Sequence, residues 1–240
     1  MNRTKQFSVI IVFFLLIISS CSRNFNNRVE NLVFLEEAEA SSGEISAQRL
    51  AEIKASVRGF EDELDRKIEA GKETGNFYRQ LGTEFMHQEM FGLALDSFQE
   101  ALQIYPSSFT LYYHAGVCAA RMSLAQVNQA EREDYLLQAE IYYRRAIQLN
   151  GRYSEVKYAL AVLYFYEMER AWDAEPLLLE LLENNPKDID SLFLMGAVQA
   201  SIGNRGEAVS YYEAIAEVSN DQDVIDQAMK NRNAIMGGME

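Results

Sequence analysis

The chain has 240 residues, room for one or two ordinary domains, and 48% of it is hydrophobic. Only 13 Gly and 3 Pro punctuate it, which favours helices over a sheet with many turns. A net charge of −14 sets it against phosphate backbones and anionic lipid surfaces, which argues against nucleic acid as a partner.

Residues 1–20 carry Arg3 and Lys5 and then an unbroken apolar run from Val9 to Ile18. That run falls well short of the roughly 20 residues a helix needs to span a bilayer, so it reads as the core of a secretory signal. It ends in Ile18-Ser19-Ser20-Cys21. A branched aliphatic residue, two small residues and a Cys resemble the lipobox of bacterial lipoproteins. The departures are Ile18, where Leu is commoner, and Ser20, where Gly or Ala is. The resemblance implies that Cys21 is lipidated and becomes the new N-terminus. Such an anchor gains about 0.8 kcal/mol for each CH₂ it buries. Ser22 favours the periplasmic face of the outer membrane over the inner membrane, since Asp after the Cys is the usual retention signal. An ordinary cleaved signal with a chance Cys is the alternative. If Cys21 carries lipid, Cys118 has no partner in the chain, and its setting in Gly116-Val117-Cys118-Ala119-Ala120 suits a small buried hydrophobe.

Residues 21–45 are polar and irregular and read as a tether, with Val33-Phe34-Leu35 as a short docking cluster. A helix is expected over 46–72. Leu50, Ile53, Val57, Phe60, Leu64 and Ile68 recur every three or four residues and form one stripe. Ser46 can cap its start and Gly71 can end it. The stripe suits packing against the first repeat, the preferred reading, or a coiled-coil seam joining a homo-oligomer.

Self-similarity then dominates the chain. The stretch from 78 runs Tyr78-x₂-Leu81-Gly82-x₂-Phe85, then Ala94-x₃-Phe98, Ala101 and Pro106. A second pass gives Tyr112, Ala115-Gly116, Ala139, Tyr143 and Ala146. A third gives Leu160-Ala161, Tyr164, Ala174, Leu178 and Pro186. A fourth gives Leu192, Met195-Gly196, Ala208, Tyr212 and Ile215. This pattern resembles the tetratricopeptide repeat, most closely in the first and fourth passes, and Gly82 to Gly116 is that family's 34-residue period. The resemblance implies an all-α right-handed solenoid of about four helical hairpins, over 75–108, 109–153, 154–188 and 189–222, closed by a capping helix and tail at 223–240. Small residues allow the two helices of a hairpin to approach, and aromatics fill the space between hairpins. Asp173 is expected to cap a helix whose first turn holds Pro176.

Two features depart from the pattern. Gly116 to Ala161 is 45 residues, as is Ala94 to Ala139, so eleven extra residues lie around 121–134. They lack Gly and Pro and should lengthen both helices of the second hairpin, either as a neutral insertion or as an added contact surface. The second departure is the inner face. By the resemblance, first helices line it with Arg79, Thr83 and Met86, then Tyr113, Val117 and Arg121, then Tyr158, Val162, Phe165 and Tyr166, then Phe193 and Ala197. The Lys, Arg and Asn set of the family's carboxylate clamps is missing. What remains is an aromatic trough, with His87 and His114 near one end. It suits a partner's amphipathic helix or apolar segment unless the chain's own 46–70 helix fills it.

No sign of catalysis appears. His87 and His114 lack metal-ligand spacing, no phosphate loop or nucleophile elbow occurs, and no cofactor or metal is expected. The acids fall on solvated helix faces. The expected function is a non-enzymatic, membrane-anchored adaptor of a bacterial envelope assembly that holds a protein or peptide partner. The alternative is an accessory subunit of a transport or secretion system that docks a periplasmic solute-binding protein or a hydrophobic ligand.

Overall fold

The computed structural model describes residues 46–237. The expected signal and tether, with Cys21, lie outside the described residues, as do the last three of the chain. The described residues form nine α-helices and no strand. They fall into two units, within residues up to Arg66 and from Lys67 onward.

The first helix, α1, runs Ala47–His87. In residues 46–66 the expected stripe is partly open to solvent: Leu50, Val57 and Leu64 are 44%, 48% and 57% exposed, and Ile53 and Phe60 are half-buried. Gly71 does not end it, against the sequence expectation. Glycine costs a helix interior only about 1 kcal/mol, and further contacts continue the register. Tyr105 donates its hydroxyl to the Lys72 carbonyl at 2.7 Å. One turn on, Gly75 is buried against the same ring, which lies 2.6 Å from where a Cβ would stand. The first helix of the first repeat is therefore the C-terminal end of α1.

From there the chain alternates with great regularity. The helices are α2 Phe91–Ile104, α3 Phe109–Ala125, α4 Gln129–Leu149, α5 Ser154–Val162, α6 Ala171–Asn184, α7 Ile189–Ser201, α8 Arg205–Val218 and α9 Gln222–Gly237. A π turn, Leu163–Glu167, extends α5. From α2 onward each helix packs on the next in the chain, α9 closing on α8. Three residues join the helices within each hairpin, at 88–90, 126–128, 168–170 and 202–204, and four join successive hairpins, at 105–108, 150–153 and 185–188. The four-residue links repeat one hydrogen-bond pattern. Tyr105, Asn150 and Asn185 each donate N–H back to the residue four before, and their carbonyls accept from Ser108, Tyr153 and Asp188.

The anchors read from the sequence form the core. Ala94, Phe98, Ala101, Ala139, Ala146, Ala161, Ala174, Leu178, Ala208 and Ile215 are all fully buried. A Cβ on Gly82, Gly116 or Gly196 would stand 2.8, 2.6 and 2.8 Å from the rings of Phe98, Tyr143 and Tyr212. The third repeat has Leu178 in place of the ring and, correspondingly, Ala161 in place of the glycine. A large ring demands the missing methyl group; a smaller side chain does not.

The eleven extra residues divide in whole turns. Compared with the first hairpin, α3 continues four residues further past its glycine, and α4 starts seven residues earlier before its alanine. Because 3.6 residues make a turn, one added turn and two added turns return the chain to the same side, and the link stays at three residues. The salt bridge Arg132–Glu167 at 2.7 Å ties the added part of α4 to the next repeat. The third repeat holds one residue more than the first between its anchors, and the π turn absorbs it. Met168 N–H donates to the Leu163 carbonyl, five residues back. Left-handed backbone at Glu89, Glu169 and Gly203 then closes the first, third and fourth hairpins alike.

Asp173 is not the cap of α6. The helix begins at Ala171 with Arg170 at the cap, and Pro176 lies inside it. Arg170 sets this start: its carbonyl accepts from Asp173 and Ala174 N–H. Its guanidinium binds Asp173 and Glu140 at 2.6 and 2.9 Å. The helix tolerates Pro176 at the loss of one backbone bond, the one to the Trp172 carbonyl.

Candidate partner-binding groove

Positions three or four apart on a helix share a face, so the face opposite the buried anchors is fixed once the anchors are. The side chains expected there are none of them buried. Arg79, Thr83, Arg121 and Tyr166 are exposed, and Met86, Tyr113, Val117, Tyr158, Val162, Phe165, Phe193 and Ala197 are half-buried. Ring contacts tie some of them to one another or to neighbouring aromatics. Tyr113 meets the edge of Tyr153 at 5.3 Å between centroids and lies 6.2 Å from Tyr143. Phe165 packs edge-on against Tyr166 at 4.8 Å, and Phe193 lies 6.1 Å from Tyr212. The Arg121 guanidinium sits over the Phe91 ring at 5.8 Å.

Three of the twelve residues line hollows. Tyr113 and Tyr158 line a hollow of about 420 Å³ together with Glu155, Leu181, Asn184, Asp188 and Asp190. Arg79 lines a separate hollow of about 450 Å³ with Asn76, Tyr105, Pro106 and Thr110. The hollow with the two tyrosines is shared by the second, third and fourth repeats.

That hollow is acidic as well as aromatic. Burial and the nearby Glu155 carboxylate raise the Tyr113 phenol. Burial first, then Asp190, Tyr166 and Asp188, push Tyr158 up to about 12. Both phenols stay neutral at ordinary pH. The Asp188 carboxylate caps α7 by accepting the Ser191 N–H at 3.2 Å. None of Glu155, Asp188 and Asp190 has an ion-pair partner among the described residues. The acidic rim escaped the sequence reading because its members come from the starts of α5 and α7, where acids also suit the helix dipole. Noticing that two helix starts would converge beside Tyr158 could have revealed it.

The histidines part company. His87 is exposed, whereas His114 stacks on buried Phe98 at 5.4 Å and 20°, and burial lowers its pKa. His114 thus belongs to the packing between helices. Cys118 is fully buried, with its thiol pushed up to about 12 by desolvation. A second polar cluster was also missed. Buried Glu140 accepts from the Tyr164 hydroxyl at 2.8 Å, Arg170 at 2.9 Å and Arg144 at 3.3 Å. Arg170 in turn covers the Tyr164 ring at 4.5 Å. This cluster fastens α4 to the π turn and to the start of α6. Among the described residues no group of His, Cys, Asp and Glu could hold a metal ion.

No family model matches the chain. A TPR repeat-containing protein of Borreliella burgdorferi is 20% identical over 204 residues, covering 85% of this chain and 88% of that protein. Among solved structures, YrrB, described as a TPR protein with an unusual peptide-binding site, superposes with a TM-score of 0.57 at 21% identity. It covers 73% of this chain and 82% of its own. A thermophilic TPR protein of Thermus thermophilus, TTC0263, superposes at 0.56 with 16% identity, covering 75% and 94%. The fold is the tetratricopeptide-repeat solenoid. Its four hairpins are those counted from the sequence, and its first helices carry the face described above.

Proposed function

We propose that the protein is a non-catalytic scaffold of a bacterial cell envelope, exported, anchored through lipid on Cys21 and facing the periplasm from the outer membrane. It binds a helix or extended segment of a partner protein along the first-helix face of its repeats. The observation that carries this reading is the half-exposed aromatic series on consecutive first helices, with a hollow that two tyrosines floor and three carboxylates rim. Grooves of this kind take amphipathic helices or extended segments, and the peptide-binding site described for YrrB supports the analogy. Because the rim is acidic and free of partner cations among the described residues, the favoured segment carries a Lys or Arg whose stem lies against the rings.

The test is a photo-crosslinking residue placed at Tyr166 in the anchored protein in its native membrane. A single envelope protein should be captured, and capture should fail in Tyr158→Ala and in Asp188→Lys. Capture that survives both changes would remove the groove from consideration. Palmitate labelling should disappear in Cys21→Ala; labelling that persists would sink the anchor.

A further inference from the structure

The helix segment upstream of the repeats offers a face that the groove reading does not use. Leu50, Ile53, Val57, Phe60 and Leu64 follow one another at spacings of three, four, three and four, the a and d positions of a heptad seam. Leu50, Val57 and Leu64 stand open to solvent in the structure, and Ile53 and Phe60 are half-buried. A single helix cannot bury such a seam, and a second copy of the same seam is its natural complement.

We propose that residues 53–64 form an antiparallel two-stranded coiled coil with the same segment of a second copy of the chain. Size and charge select the orientation. A parallel pair would set Phe60 against Phe60 in one layer and Val57 against Val57 in the next, one overfilled and one underfilled. The antiparallel pair sets Phe60 against Val57 and Ile53 against Leu64, so the layers are of even volume. The flanking charges agree. In the parallel arrangement Arg49 of one copy, which pairs with Glu52 of its own chain at 3.2 Å, would also face Lys54 of the other, a like-charge contact made twice. In the antiparallel one Lys54 faces Glu61 of the other copy twice, and neither residue is committed to an ion pair within its own chain among the described residues. Gly59 falls on the outer side, where nothing lies within 4 Å. The inference stands apart from the groove, and either could fail alone.

The test is disulfide crosslinking of the full chain in its membrane. Differently tagged Ile53→Cys and Leu64→Cys chains are co-expressed, with the unmodified chain controlling for Cys21; Cys118 is buried. The antiparallel seam predicts mixed 53–64 dimers only, since residue 53 of one copy lies about 16 Å along the axis from residue 53 of the other. Homodimers of Ile53→Cys would overturn the orientation. No crosslink at all would overturn the seam and leave the stripe to residues 22–45 or to a foreign helix. Lys54→Glu should cut the mixed dimer about tenfold and Glu61→Lys likewise, with the double exchange restoring it. A parallel pair would instead strengthen with Lys54→Glu, which relieves the facing Arg49.

Discussion

Adding one methyl group at Gly116 tests the packing rule of the repeats. The new Cβ would stand 2.6 Å from both Cδ1 and Cε1 of Tyr143, a ring almost wholly buried. Alanine would gain about 1 kcal/mol of helix propensity over glycine, but overpacking a closed core costs about 1–3 kcal/mol. The ring is held on all sides and must shift with its helix, so the upper half of that range applies. Gly116→Ala should therefore lose about 1–2 kcal/mol net, read as a lower urea midpoint by circular dichroism. Tyr143→Leu alone opens a cavity and should cost about 2 kcal/mol. Together they recreate the Ala161 and Leu178 pair of the third repeat, so the double variant should be more stable than the sum of the singles predicts, by at least about 1 kcal/mol. Gly71→Ala is the control: nothing lies within 4 Å of its Cβ, and it should stabilise by about 0.5–1 kcal/mol. A Gly116→Ala protein as stable as the parent, or strictly additive singles, would refute the reasoning.

Three further outcomes follow from the polar and titrating groups. Glu140→Ala strips Tyr164 and Arg170 of their shared acceptor and should cost about 2 kcal/mol, measured as the urea midpoint. His114 has its pKa lowered by burial, so the unfolded chain takes up a proton there first as pH falls below the ordinary 6.5. Stability is thereby lost on the acid side of that value, and the urea midpoint of His114→Phe should fall less between pH 7 and pH 5 than that of the parent. Cys118, buried with its thiol at about 12, should resist iodoacetamide at pH 8 in the folded protein and react fully in urea, while rapid labelling of the folded state would contradict its place in the core.

The repeats were legible because their anchors obey covalent spacing. Ala94 and Phe98, or Ala208 and Tyr212, lie one turn apart whatever surrounds them, and burial leaves few residue types able to stand there. Gly71 misled because glycine ends a helix only when no later contact continues it, and here Tyr105 grips the next turn from 33 residues away. Asp173 misled similarly: a plausible local cap lost to Arg170, whose carboxylate partner Glu140 lies on another helix. The first-helix positions proposed for the groove came from the family resemblance, and the structure leaves none of them buried. The acidic rim of the groove could not be read that way, because Glu155 meets Tyr113, and Asp190 meets Tyr158, only through the packing of three helices.

The added lengths in the second and third hairpins carry a consequence for how this chain can vary. Each hairpin works as a rotary counter: a segment inserted between anchors must bring the next anchor back to the same azimuth or be discharged locally. Four and seven residues pass because they are whole revolutions, and a single residue passes only because the π turn at Leu163–Glu167 takes it out of circulation. Two inserted residues have no such outlet and would swing every following anchor to the opposite side of the stack. Lengths between the anchors of this chain are therefore expected to be quantised, with tolerated variants clustered at zero, one and whole-turn increments.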